Sequence, residues 1–289
     1  MTSQAAKLRT LLSQDTCHAM PCCWDGLSAK MIADAGFSFT FMSGFAVSAT
    51  RIGAPDTGLV SFGEMLDQGR NICAATPIPV IGDGDTGYGN ALNVRRTVDM
   101  YARAGFAAVM IEDQLAPKRC GHTKGKLVVE RAEAFNRIKA AVDARNAGAD
   151  IMILARTDAR HGHGLDEAIT RAKAFSDIGA DILFVEAPQS QDEMARLTRE
   201  APGIHMANIV EGGATPMLSP LELHQLGYRF AAYPLTLLSA SMRAIAQALR
   251  EFRDGKHPAD MVMEFTELRR IVGFDDYYAA EKSYSDSRE

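Results

Sequence analysis

Short apolar runs alternate with longer amphipathic stretches along nearly the whole chain. The runs cover residues 19–24, 37–43, 78–82, 107–112, 150–155, 181–186, 204–209 and 230–235. Each has the length of a strand, and several are rich in Val, Ile and Phe. They lack strict polar alternation, the pattern of strands buried on both faces. Helix-like stretches lie between them at 29–35, 64–75, 91–104, 129–146, 166–178 and 221–226. Gly36, Gly105, Gly148, Gly179 and Gly227 stand just past such stretches, where glycine takes the left-handed conformation at little cost. The joint repeats before the next run as AGFSF, AGFAAV, AGADIM and IGADIL. Repeated helix–glycine–strand joints mark successive αβ units. Eight apolar runs with helices between them predict an α/β fold, a (β/α)8 TIM barrel, in a single domain over residues 1–289. An open doubly wound sheet is the competing architecture; chain length and unit count favour closure.

The first ~14 residues read as a short extra helix outside the barrel. Residues 248–289 read as a helical extension whose Met261, Met263, Phe265, Leu268 and Ile271 form an apolar stripe. Such a stripe needs a covering surface, on its own barrel or on a neighbouring subunit.

Composition narrows the setting. The formal net charge is −5 and no Lys/Arg-rich face stands out, which argues against nucleic acid. No apolar run approaches the ~20 residues that span a bilayer, and the first residues lack the apolar core of a signal peptide. The five cysteines, Cys17, Cys22, Cys23, Cys73 and Cys120, are odd in number and irregular in spacing, so a reducing cytoplasm is the expected location.

In a barrel of this kind chemistry collects where the strands end. After the third run comes Gly82-Asp83-Gly84-Asp85-Thr86-Gly87-Tyr88-Gly89. Two carboxylates at alternate positions point the same way, and hard oxygen ligands suit Mg²⁺. The stretch also fits G-x-G-x-x-G, but two aspartates inside that loop would repel a pyrophosphate. An EF-hand fails because its twelfth position would be Val94. A solvated acidic turn is the plain alternative.

Glu112 ends the fourth run and adds a carboxylate at the neighbouring strand end. Next comes Pro117-Lys118-Arg119-Cys120-Gly121-His122-Thr123-Lys124-Gly125-Lys126. Lys and Arg beside Cys120 favour its thiolate, and such a loop can close over an anionic substrate. Arg156, before Thr157 and Asp158, suits bidentate carboxylate binding. Glu186, Asn208 and Glu211 follow later strands, and His161 and His163 read as a solvated loop.

In order, WDGLSAKM, MSGFAVSA, GAPDTGL, DGDTGYGNALNVRRTV, IEDQ, PKRCGH, ARTDAR, FVEAP, ANIVEGGATP and YPLT resemble the isocitrate lyase/phosphoenolpyruvate mutase superfamily over residues 6–278. Within it the chain is most similar to the 2-methylisocitrate lyase, 2,3-dimethylmalate lyase and petal death protein group. The resemblance implies a Mg²⁺ enzyme, with Mn²⁺ as a substitute. Asp83 would be the direct ligand, with Asp56, Asp85 and Glu112 completing the shell. Ser43, Gly44 and Phe45 would hold the substrate carboxylate through backbone N–H groups. Arg156 would steady the oxygen at the reacting carbon. Glu186, Asn208, Gly121 and His122 would shape the pocket, and Cys120 would be the acid/base.

The implied reaction cleaves the C2–C3 bond of a small 2-hydroxy di- or tricarboxylate. It leaves a 2-oxo acid and an enediolate that Cys120 protonates. The resemblance also implies a homotetramer of helix-swapped dimers, which would cover the stripe in the tail. Phe41 stands where many relatives have Tyr, Phe45 replaces a smaller residue, and Gly84 replaces Ala. Pro234 aligns with a serine of the oxaloacetate hydrolases, which disfavours hydrolysis. An oxaloacetate hydrolase, a carboxyphosphonoenolpyruvate-type mutase and a non-catalytic binding paralogue are the competing readings. The last predicts missing site residues, and Asp83, Asp85, Glu112, Cys120 and Arg156 are all present.

Overall fold

The apolar runs become strands because both of their faces are covered. The computed structural model describes residues 2–119 and 125–285. Eight parallel strands close into a barrel in chain order. They are β1 (His18–Cys23), β2 (Thr40–Met42), β3 (Val80–Asp83), β4 (Ala108–Glu112), β5 (Met152–Thr157), β6 (Ile182–Val185), β7 (Ile204–Asn208) and β8 (Tyr228–Tyr233). Each lies within three residues of the bounds its apolar run predicts. The closed order excludes the open sheet.

The helices of this part are α1 (Gln4–Leu12), α2 (Gly26–Asp34), α3 (Gly44–Arg51), α4 (Phe62–Ala75), α5 (Ala91–Ala104), α6 (Arg131–Asn146), α7 (Ala159–His163), α8 (Leu165–Ile178), α9 (Gln191–Glu200) and α10 (Pro220–Gln225). Their starts are set by side-chain caps. Asp25, Ser61, Asn90 and Ser219 each close a reciprocal capping box with Ser28, Glu64, Asn93 and Glu222.

Two apolar layers hold the barrel. Inside, Met20, Phe39, Met152, Leu154, Met206 and Phe230 fill the lumen, and Phe39 meets Phe230 edge-on with centroids 5.7 Å apart. Ala5, Leu8 and Leu12 of α1 belong to this same cluster, so the N-terminal helix plugs the lumen from the end where the strands begin. With that end packed shut, the open lumen lies at the strand C-termini, where the polar groups are. Outside, Val98, Tyr101, Phe106, Val109, Ile138, Ile153 and Phe175 join strands to helices.

Three short helices escape the sequence reading for local reasons. Helix α3 starts on glycine and is only eight residues long, too short to show a clear period before Gly53. Helix α9 buries only Met194 and Leu197 and runs into Ala201-Pro202, so it offers neither a broad apolar stripe nor a glycine stop. Helix α7 carries His161 and His163, expected in a loop; both are exposed, as expected of a solvated segment.

The chain divides into two compact units, Met1–Leu237 and Leu238–Glu289. The second holds most of α11 (Thr236–Arg253), a 3₁₀ turn (Ala259–Met261), α12 (Phe265–Val272) and α13 (Phe274–Ser285). Position 248, read from sequence as the start of the extension, falls inside α11. Met242, Ile245, Leu249 and Phe252 follow one another at helical spacing on α11 and are exposed in the single chain, as are Phe265, Leu268 and Val272 on α12.

Gly69 shows how tight the outer layer is. It lies in α4, and a Cβ there would overlap the Phe106 ring. In an exposed helix Gly→Ala gains about 1 kcal/mol. Here overpacking costs about 1–3 kcal/mol and wins. Gly69→Ala is therefore expected to lower the urea midpoint; a raised midpoint would show that Phe106 yields freely.

Candidate active site

Strand register brings the charged residues together. Glu112 and Arg156 are direct partners across β4 and β5, at the last ladder position of that pair. Asp83 ends β3 beside them. Arg156 is buried among three carboxylates. It grips Asp158 with two bonds of 2.8 and 3.0 Å, and reaches Glu112 at 3.2 Å and Glu186 at 3.0 Å. Its guanidinium also lies over Phe184, 5.1 Å from the ring centroid. Glu186 accepts from Asn208 Nδ2 at 3.2–3.3 Å, which ties β6 to β7.

Asp83 is fixed at both oxygens. Oδ1 accepts from the Asp85 N–H at 3.0 Å and Oδ2 from the Gly44 N–H at 3.2 Å. Tyr101 O–H holds the Asp83 carbonyl at 2.8 Å. Gly44 has to be glycine for this approach, since a Cβ would overlap Asp83 Oδ2. Ser43 caps α3 with its hydroxyl and donates its N–H to Cys23 O at 3.0 Å. That N–H is spent on the barrel and the Gly44 N–H on Asp83, so the carboxylate cradle expected of Ser43, Gly44 and Phe45 rests on the Phe45 N–H and the Ser43 hydroxyl.

Lys118 is the residue the sequence reading underrated. Its buried ammonium lies 2.7–2.8 Å from both oxygens of Asp56 and 2.6 Å from Asp85 Oδ1. The Asp85 contact is an ion pair without hydrogen-bond angles, and Asp85 Oδ1 counts among the buried atoms with no hydrogen-bond partner. Burial pushes the Asp85 carboxyl up to about 7, with Lys118 pulling down and Asp83 and Asp56 pushing up. Burial also pushes Glu112 well above the usual carboxylate range, against the pull of Arg156.

These groups meet at one cavity of about 60 Å³. Asp56, Asp83, Glu112, Lys118, Arg156, Glu186 and Asn208 are its charged and polar lining. Phe41, Phe45, Phe184, Met206, Val210, Pro234 and Leu235 are its apolar lining. Ser43 and Gly44 also line it, whereas Asp85 stands behind Lys118. Glu211 does not line it and instead accepts from Thr236 at 2.5 Å. Cys120, Gly121 and His122 lie outside the described residues.

Asp56, Asp83, Asp85, Glu112, Asp158 and Glu186 set six buried carboxyl groups against Lys118, Arg156 and Lys126, and burial raises the proton affinity of two of the six, Asp85 and Glu112, so a further cation has room to replace those protons. Glu112 Oε1 has no hydrogen-bond donor among the described residues, and Asp85 Oδ1 is met by the Lys118 ammonium. No three of His, Cys, Asp or Glu close into a ready-made metal cage among those residues. Among the described residues no helix is long and apolar enough to cross a membrane.

The geometry can be set beside known proteins. The family model described as phosphoenolpyruvate phosphomutase matches residues 8–253. A 2,3-dimethylmalate lyase from Eubacterium barkeri is 40% identical over 287 residues, covering 98% of this chain and 99% of that protein. The solved structure of an oxaloacetate acetylhydrolase with 3,3-difluorooxalacetate superposes with a TM-score of 0.94 at 35% identity, covering 98% of both chains. That of a phosphonopyruvate hydrolase with oxalate and Mg²⁺ gives 0.86 at 29%, covering 98% of this chain and 99% of the other. A lyase and two hydrolases thus share one barrel, and with it the chain belongs to the phosphoenolpyruvate mutase/isocitrate lyase superfamily of enzymes.

Proposed function

We propose that the protein is a Mg²⁺-dependent carbon–carbon lyase acting on an alkyl-substituted 2-hydroxy diacid of the malate type. The carrying observation is the mixed lining of the cavity: its charged side chains suit a carboxylate and a 2-oxygen, and its apolar side chains suit alkyl groups at C2 and C3. The kinship with a 2,3-dimethylmalate lyase supports the same substrate class. Pro234, which also lines it, offers no hydroxyl, which disfavours hydrolysis.

Asp83 would hold the Mg²⁺, with Asp56, Asp85 and Glu112 around it. When bound there, the ion supplies Lewis acidity toward the carboxylate and 2-oxygen. The Phe45 N–H and the Ser43 hydroxyl, at the start of α3, hold the substrate carboxylate, while the Gly44 N–H keeps Asp83 in place. Glu112, with Oε1 undonated among the described residues, receives the hydroxyl proton. The C2–C3 bonding pair then passes to the departing fragment as an enediolate, while C2 becomes the carbonyl of the 2-oxo acid. Arg156 offsets negative charge on the 2-oxygen. Cys120, in a basic stretch of sequence, gives the enediolate carbon its proton.

The exposed apolar stripes of α11 and α12 are the surfaces a neighbouring subunit would cover in the expected homotetramer. The four described cysteines are unpaired, in keeping with a reducing compartment.

The test is a panel of malates, methylisocitrate, oxaloacetate and phosphonopyruvate with Mg²⁺. Appearance of 2-oxo acid from an alkylated malate, and its loss in Cys120→Ser with Mn²⁺ binding intact, is the expected result. Turnover of only the phosphonate or oxaloacetate would replace the lyase reading.

A further inference from the structure

We infer that Lys126, which the sequence gives no role, is a positioning residue that sets the charge and aim of Arg156 through Asp158. The inference rests on the proposed role of Arg156 at the substrate oxygen.

The stem carrying Lys126 is pinned to the barrel. Gln114 and Val128 form an antiparallel bridge, Leu115 N–H donates to Leu127 O at 2.8 Å, and Val129 N–H donates to Asp113 O at 2.9 Å. That register delivers Lys126 Nζ to Asp158 Oδ1 at 3.0 Å, with both side chains essentially sealed from solvent. The same oxygen accepts from Arg156 Nη2 at 3.0 Å, and Oδ2 accepts from Arg156 Nε at 2.8 Å. One carboxylate is therefore shared between two buried cations.

Asp158 is itself held from behind. Its N–H donates to Asp113 Oδ1 at 2.9 Å, while Asp113 Oδ2 takes Thr157 Oγ1 at 2.6 Å and Arg171 Nη1 at 3.0 Å. Asp158 cannot follow Arg156 if the latter moves.

Charge explains why a second cation is placed here. Asp158, Glu112 and Glu186 together exceed the single charge of Arg156. Without Lys126, Asp158 would draw the guanidinium toward itself and cancel the field it presents to the cavity. Lys126 takes up part of the Asp158 charge, so Arg156 stays electrophilic toward a developing oxyanion while keeping its bidentate anchor. Gly125 precedes it with φ +80°, a left-handed conformation that glycine takes at least cost.

The experiment compares wild type, Lys126→Met and Lys126→Arg, with Mg²⁺ present. It measures oxalate affinity by calorimetry, and kcat and KM on the best malate of the panel. Lys126→Met is expected to weaken oxalate binding and lower kcat on the order of 10- to 100-fold, the cost of a misaimed catalytic group, with KM little changed. Lys126→Arg is expected to restore both to within a few-fold. A merely structural lysine would lower the melting temperature and leave kcat per folded molecule and oxalate affinity alone; that result overturns the inference. Should Lys126→Met not fold, Lys126→Gln, which can still donate to Asp158 without charge, carries the same comparison. Loss of oxalate affinity in a protein that cleaves no malate would uphold Lys126 and overturn the lyase reading. A wild type that binds no oxalate would overturn the anion site on which both stand.

Discussion

Arg156→Met will lose catalysis and stability together, and the stability loss will depend on pH. Turnover is expected to fall about 10²–10³-fold, the usual cost of removing a group that stabilises an oxyanion. The fold loses the cation that Asp158, Glu112 and Glu186 all contact, within 2.8–3.2 Å. Breaking a buried pair by removing one partner costs about 3–5 kcal/mol, because the remaining charges stay desolvated. The sign with pH follows. Burial already raises the Glu112 carboxyl, and removing Arg156 removes the chief influence lowering it. A carboxyl whose folded pKa is raised is stabilised in its neutral form, so the variant's deficit should shrink as pH falls from 8 toward 5. Urea melts at both pH values measure this. An equal deficit at the two would mean the carboxylates find other partners.

Asp83→Asn is expected to remove tight divalent binding while leaving the barrel folded. The side chain keeps its size, and one of its two acceptor contacts, with Asp85 N–H or Gly44 N–H, survives. Free Mn²⁺ followed by electron paramagnetic resonance should show an affinity loss above about 100-fold, since losing even an outer-shell partner costs roughly 10–100-fold. Activity should vanish with it, as it should in the wild type after chelation. Unchanged Mn²⁺ affinity in Asp83→Asn would move the metal elsewhere in the charged lining and sink the assignment of Asp83.

Part of the site is plain from the order of residues alone. Asp83, Glu112 and Arg156 end apolar runs, and a parallel barrel puts all such ends on one face whatever the helices do. Lys118 and Asp158 stand close to Cys120 and Arg156 in the chain, yet their neighbours give Lys118 only an influence on the Cys120 thiolate and Asp158 no role. A lysine's reach and an aspartate's partner depend on where a distant loop returns: Lys118 meets Asp56 across 62 residues and Lys126 meets Asp158 across 32. Ser43 shows the opposite error, a backbone N–H counted for the ligand that the turn gives to Cys23.

The local pattern by itself determined the strands, most helices and the closed α/β architecture. Strand burial, helix caps and glycine stops are properties of neighbours along the chain, and each leaves a periodic trace. Only the tertiary structure decided which charges share a counter-ion, which N–H groups remain for a ligand, and which charged and apolar side chains line one cavity. Those follow from contacts between segments far apart in sequence. Burial there sets the proton affinity of Asp85 and Glu112, and no residue's neighbours in the chain encode its distance from water.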